Sequence, residues 1–414
     1  MKNPLVMALY HVFLREHNRL VETLTPACGS TGCRNEARTL LIAMFQHIVC
    51  NEYLPLLLGS SARCLNTSNY TYDNTSSPMV SNAFAVAYKL VGASMLRDTV
   101  TIGGNLNVSV KTILNDSTQV DSDLEMTNIV NGMLTDYSLK IGREIPCSFR
   151  DDCQYSDIVS VLIQDTRYFG IPPYFVWLAL TVNSTDMPST IDNLPYQTPA
   201  NLIATDSSYQ NLYDIDFLTG ALSENVVPGA MVGPTLKRLF EDTFNSLQRG
   251  DRLYFDNAGV FTDDQLNVIR NVTMAQLLCR NVEGLTEVKE NAFVHNSPLV
   301  QCSSFPDIDF CRYCNSSTGW TAFVTVPNPC FQFQLKYRFC QSTNPVACPC
   351  LGSPFEITPC PSAIVDSVMY LQSRVLESIM ANDTQSKDYH AIRDETNMIK
   401  RMLELYEEHF TKSI

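Results

Sequence analysis

The stretch Ser81–Arg97, SNAFAVAYKLVGASMLR, decides how the rest of the chain is read. Phe84, Tyr88, Val91 and Met95 recur at helical spacing, so the segment is expected to be a helix that buries those four residues. Tyr88 then carries a phenol inward, and a core hydroxyl needs a hydrogen-bond partner. From the residues alone, a backbone carbonyl is the expected one.

Working outward, Leu5–Glu22 places Leu9, Val12, Phe13, Leu20 and Val21 on a buried helical face that stops near Thr25-Pro26. Arg34–Leu58 does the same through Ala37, Leu41, Met44, Phe45, Ile48 and Val49. Cys28 and Cys33 lie between these two core helices, close enough to close a small ring. Val227–Leu247 and Thr262–Cys279 read as further helices, and Leu106–Ile113 alternates as a short strand would. From Phe305 to Pro361 the character changes: seven cysteines and recurrent prolines surround an alternating stretch, Phe331–Tyr337, the mark of a small disulfide-stapled module. Beyond it, Ile364, Val368, Leu371, Val375 and Ile379, then Ile392, Ile399, Met402, Tyr406 and Phe410, form two helical stripes. The expected organisation is a helical domain over residues 1–305, a Cys/Pro-rich module over 306–361 and an amphipathic helical tail over 362–414.

A chain of 414 residues, 45% hydrophobic and 17% charged, can bury a large core. Its formal net charge of −14 argues against nucleic acid, which is gripped by clustered Lys and Arg. Fifteen cysteines, among them Cys147 and Cys153, point to an oxidising compartment; an odd count leaves at least one thiol unpaired or joined to another chain. N-x-Ser/Thr sequons stand at Asn66, Asn69, Asn74, Asn107, Asn115, Asn183, Asn271, Asn315 and Asn382. Together these predict a secreted, extracellular glycoprotein. No signal peptide is visible at Met1-Lys2-Asn3-Pro4, and no apolar run is expected to span or insert into a membrane.

Leu14-Arg15-Glu16-His17-Asn18-Arg19-Leu20, Asn51–Gly59 (NEYLPLLLG), Asn82-Ala83-Phe84, Leu212–Glu224 (LYDIDFLTGALSE) and Gln248–Asn257 (QRGDRLYFDN) occur in an order that resembles the animal haem peroxidases, from about Pro4 to Cys302. The resemblance implies a mainly α-helical peroxidase fold with its N-terminal part missing, a disulfide between Cys279 and Cys302, and haem b as cofactor. It also locates departures. Aligned on Asn82-Ala83-Phe84, the family's iron-ligating histidine falls on Tyr88. The asparagine that would hydrogen-bond it is Leu162, one propionate-holding arginine is Asp165, and Arg167 remains. A carboxylate facing the propionates would cost about 1 kcal/mol or more. Lys2 replaces a glutamate that bonds haem in some relatives, and the distal histidine, calcium loop and catalytic arginine would precede Met1.

The reading that follows is a peroxidase-like scaffold, catalytically inactive, with no cofactor expected and a structural, adhesive or oligomerising role toward other extracellular proteins or itself. The alternative is a haem enzyme reducing hydrogen peroxide with Tyr88 as proximal ligand, as phenolate serves in catalases. No catalytic residue and no metal site is assigned. His17 and His47 read as structural, Cys311-x-x-Cys314 as disulfide rather than zinc, and Arg249-Gly250-Asp251 spells an integrin-recognised tripeptide in a turn that the family shares.

Overall fold

In a computed structural model, the described residues are 4–27, 33–59, 72–103, 106–110, 112, 123–147, 157–197, 209–314, 317–325, 333–342 and 354–359. The chain forms two compact units, Met1–Tyr313 and Cys314–Ile414. The first is mainly α-helical. Residues 362–414, the expected tail, lie outside the described residues.

The long opening helix Pro4–Ala27 packs on Arg34–Ile48, on Asp123–Thr135 and on Met274–Asn281. Its inward residues, Leu5, Ala8, Val12, Leu20 and Leu24, follow the apolar period, and Glu16 joins them fully buried. A buried carboxylate needs partners, and Glu16 accepts from Arg19 Nε at 2.8 Å, Arg19 Nη2 at 2.6 Å and Asn281 Nδ2 at 2.8 Å.

The second core helix does not run unbroken to Leu58. Pro55 has no N–H to donate, and the turn ahead of it widens into a π turn over Val49–Tyr53, where Leu54 N–H reaches back to Val49 O. Arg34–Leu58 spans 25 residues with a window of mean hydropathy 1.4, so one helix is, by length and composition alone, long and apolar enough to cross a membrane, where the sequence reading expects no apolar run of that length. Ala37, Leu40, Met44, Ile48, Leu54, Leu57 and Leu58 are nevertheless packed inside the protein.

Asn82–Met95 is the central helix. Ser81 caps it by accepting from Phe84 N–H at 3.1 Å, and its buried residues, from Ala83 to Ser94, share one broad face while Ala85, Lys89 and Gly92 are exposed on the other. Against it packs Ile158–Tyr168, capped by Asp157 and stopped where Gly170 takes φ 66°. The helix expected from Val227 begins instead at Pro234, because Pro228 and Gly229 sit in a turn closed by Val227 N–H to Val232 O. It runs to Gly250. Asp263–Arg270 and Met274–Asn281 each open on a capping box, Thr262 with Gln265 and Thr273 with Gln276. The hairpin Glu287–Lys289 with Leu299–Gln301 is closed by a disulfide between Cys279 and Cys302. Phe310 and Tyr313 are buried in this same unit, Tyr313 donating to Glu36 at 2.7 Å.

In the second unit, strand Phe333–Tyr337 pairs antiparallel with Val324–Thr325 and with Phe355–Pro359, while Ser317–Trp320 pairs with Cys340–Ser342. Cys311 and Cys314 are disulfide-bonded, as is Cys50. The suggested pairings Cys28–Cys33 and Cys147–Cys153 each include a residue outside the described ones.

Candidate functional site

The central helix aims Phe84 and Tyr88 at the Pro234–Gly250 helix. The two rings stack at 5.1 Å, and Phe240 meets Phe84 edge-on at 5.3 Å and Tyr88 at 5.7 Å; Phe244 lies 5.7 Å from Phe84. Tyr53, carried by the π turn, brings its hydroxyl to 2.7 Å from the Tyr88 hydroxyl and packs its ring 6.0 Å from Phe293. The result is an aromatic box with one phenol pair in its middle. The partner of Tyr88 is therefore a second tyrosine, correcting the backbone carbonyl expected from sequence: a neighbouring helix turn reaches the site, and no period within Ser81–Arg97 could signal it.

Burial raises the pKa of both phenols, because ionisation would place charge among phenyl rings. For Tyr88 the hydrogen bond from Tyr53 opposes burial without overcoming it. Among the described residues no cation acts on the Tyr88 phenol to offset burial. Arg97 is committed elsewhere, its guanidinium 4.5 Å from the Tyr137 ring centre and 3.6 Å from Asp136.

Leu162 is fully packed in the same core cluster and offers no polar side-chain atom. Arg167, on the last turn of its helix, is exposed and forks onto Asp216, Nε to Oδ1 at 2.9 Å and Nη2 to Oδ2 at 2.7 Å. The Tyr209 hydroxyl also donates to Asp216. The guanidinium is thus held by a carboxylate of the turn that leads into helix Phe217–Leu222. Asp165 is half-buried, and Lys2 lies outside the described residues.

Glu52, beside Tyr53 in the π turn, and His47, on the helix ahead of it, also have shifted pKa values. Glu52 accepts from Met274 N–H at 3.0 Å, at the N-terminus of helix Met274–Asn281, and burial pushes its carboxyl up to about 7. His47 packs on Phe255 and accepts at Nδ1 from Asn51 Nδ2 at 2.9 Å; burial first, then the Arg270 charge, lower its pKa to about 4. His17 faces Asn18 and the Arg34 carbonyl. Among the described residues, no group of His, Cys, Asp and Glu could hold a metal ion.

A model of the family described as animal haem peroxidase matches residues 1–293. The chain belongs to that family. Peroxidase mlt-7 of Caenorhabditis elegans is 28% identical over 322 residues, 74% of this chain and 44% of that protein. Eosinophil peroxidase of Mus musculus is 27% identical over 346 residues, 74% of this chain and 46% of that one. The human probable oxidoreductase PXDNL is 25% identical over 374 residues, 82% of this chain and 24% of the relative. This animal haem peroxidase chain therefore spans less than half the length of these curated relatives. Among solved structures, peroxidase A from Dictyostelium discoideum superposes with a TM-score of 0.59 at 21% identity over 70% of this chain and 57% of the other, which shows the fold.

The integrin-like tripeptide is not displayed on a free loop. Arg249 and Gly250 end a helix, Asp73 N–H donates to Arg249 O, and a Cβ on Gly250 would come within 2.6 Å of Ser76 O. The Asp251 carboxylate accepts from Gln46 Nε2 at 3.0 Å and Leu253 N–H at 2.9 Å. Sequon residues Asn74, Asn107, Asn183 and Asn271 are exposed; Asn66, Asn69, Asn115, Asn315 and Asn382 lie outside the described residues.

Proposed function

We propose that this chain is a peroxidase scaffold without haem catalysis, an extracellular glycoprotein with a structural or oligomerising role. The observation that carries the proposal is the Tyr53–Tyr88 hydroxyl pair at 2.7 Å, at the position where the family places its iron-ligating histidine. A neutral imidazole ligand needs a hydrogen-bond acceptor behind it to set its basicity. Here a phenol stands at the ligand position, its proton favoured by burial, and the aligned asparagine position is Leu162, which has no side-chain acceptor. Arg167, the remaining propionate-binding guanidinium, already has a carboxylate partner. These residues do not fit a histidine-ligated haem.

Exposed sequons and the disulfides of Cys50, Cys279, Cys302, Cys311 and Cys314 support the extracellular assignment, since such bonds persist in oxidising compartments. An odd cysteine total supports covalent association of chains. A second reading has one feature in its favour: Tyr88 is half-buried and oxygen-bearing at the ligand position, so a Tyr88-ligated haem remains the competing chemistry. Hydrogen-peroxide-dependent oxidation of a phenolic dye by the haemin-incubated full chain decides between them. Turnover equal to that of free haemin supports the scaffold reading; turnover above it that Tyr88→Phe abolishes overturns that reading.

A further inference from the structure

A cavity of about 650 Å³ opens elsewhere on the helical unit, between the short 3-10 turn Ile191–Asn193 and the segment Tyr209–Asp214. Its volume lies in the range of small-ligand clefts. None of its lining residues belongs to the aromatic box around Tyr88.

The composition of the wall narrows what could occupy it. Hydroxyls, amides and carboxylates dominate: Ser189, Thr190, Asp192, Gln210 and Asn211, with Tyr213 beside them. Among the described residues no Lys, Arg or His lines the cavity, so a phosphate, sulfate or carboxylate ligand would find no counter-charge on them. Among the described lining residues only Ile191 and the core residue Leu212 are aliphatic, too little for a lipid chain.

Part of the rim is fixed in advance. Tyr213 N–H donates to Asn211 Oδ1 at 2.8 Å, and Asn211 N–H donates to Asp214 Oδ2 at 3.2 Å, closing a capping box around the 3-10 turn Leu212–Asp214. Tyr213 is 65% exposed and rests edge-on against Phe175 at 4.9 Å. By contrast, the side chains of Ser189, Thr190, Asp192 and Gln210 make no hydrogen bond within the described residues. The cleft thus joins a supported aromatic ring to uncommitted donors and acceptors of both kinds.

We propose that this cleft binds a neutral, hydroxyl-rich ligand of mono- or disaccharide size. Sugar hydroxyls donate to Asp192 and Asn211 and accept from Ser189, Thr190 and the Gln210 amide, while an apolar C–H face of the ring lies on Tyr213. Recognition of this kind, open to water on one side, is weak for a single unit, with a Kd of about 1–10 mM.

Saturation-transfer NMR on the full chain, its own N-glycans removed enzymatically, tests the proposal with three probes: cellobiose, mannobiose and N,N′-diacetylchitobiose. The expected result is transfer to at least one disaccharide, with affinity weakened about fivefold or more by Tyr213→Ala and by Asp192→Ala. Tyr213→Ala removes a ring that packs on Phe175, so Asp192→Ala, at an exposed carboxylate, is the variant that leaves the fold untouched. Absence of transfer at about 20 mM of every probe overturns the proposal. So does disaccharide binding indifferent to both variants, and so does binding of spermidine with no sugar binding, which would mark Asp192 and Asp214 as an amine site.

Discussion

Replacing Tyr53 and Tyr88 by phenylalanine, singly and together, measures whether the phenol pair is a structural hydrogen bond. Each single variant removes one hydroxyl and leaves the other in a half-buried aromatic box, 2.7 Å from where its partner was. A lost hydrogen bond of this kind costs about 0.5–1.5 kcal/mol, with more added when the orphaned group is cut off from water. Both rings are half-buried, so water reaches the orphan in part and each single variant is expected to lose about 1 kcal/mol. The double variant removes donor and acceptor together and keeps ring shape, which is close to neutral. The coupling between the two sites is then about 1–2 kcal/mol in the favourable sense, well outside the additive range. Urea unfolding of the four proteins, followed by circular dichroism, gives that value. Additive costs would refute the pair. A large loss for Tyr88→Phe with none for Tyr53→Phe would point instead to a ligand on Tyr88.

Removing the Cys279–Cys302 disulfide as the double alanine variant frees a loop with a sequence separation of 23, and chain entropy sets the loss at about 3 kcal/mol, read as a lower urea midpoint. Glu52 and His47 pull stability in opposite directions with pH. Glu52, raised to about 7 from 4.5, binds its proton more tightly when folded, so its contribution is complete below pH 4.5 and is lost as pH rises through 7. Glu52→Gln is therefore expected to gain on the parent between pH 5 and pH 8 in thermal unfolding; a gap independent of pH would refute the assignment. His47, lowered to about 4 from 6.5, contributes above pH 6.5 and loses that contribution as pH falls through 4, so the His47→Gln variant unfolds less steeply in acid. Gly220→Ala is expected to cost more than about 2 kcal/mol, since its Cβ would come within 2.0 Å of the fully buried Tyr174 ring, and a normal melting temperature would contradict that packing.

The helices were legible where the apolar period was strong. Val12, Leu20, Met44 and Ile48 fall on buried faces because a 3.6-residue period reports directly on which side meets the core. Pro228 and Gly229 misled the reading of the helix start, since a turn with a residue at positive φ and a helix N-terminus share those residue types. The π turn at Val49–Tyr53 had no periodic signature, and with it the position of Tyr53 was hidden. Tyr88 was identifiable from its alignment with the family's ligand position, whereas its partner lies 35 residues away in sequence and is found only through the packing of two helices. Glu16 shows the same limit: Arg19 on the next turn was visible, but Asn281 completes the site from the far end of the domain. For the second unit, the alternation around Phe333–Tyr337 signalled a strand without fixing its partners, because strand pairing is a long-range choice that local spacing does not encode.

The most direct measurement is the absorption spectrum of the full chain after incubation with excess haemin and removal of the unbound fraction. A phenol pair closed on itself predicts no Soret band in proportion to protein and no haem in the extracted iron-porphyrin assay. One haem per chain, with a Soret band that Tyr88→Phe removes, would contradict the account.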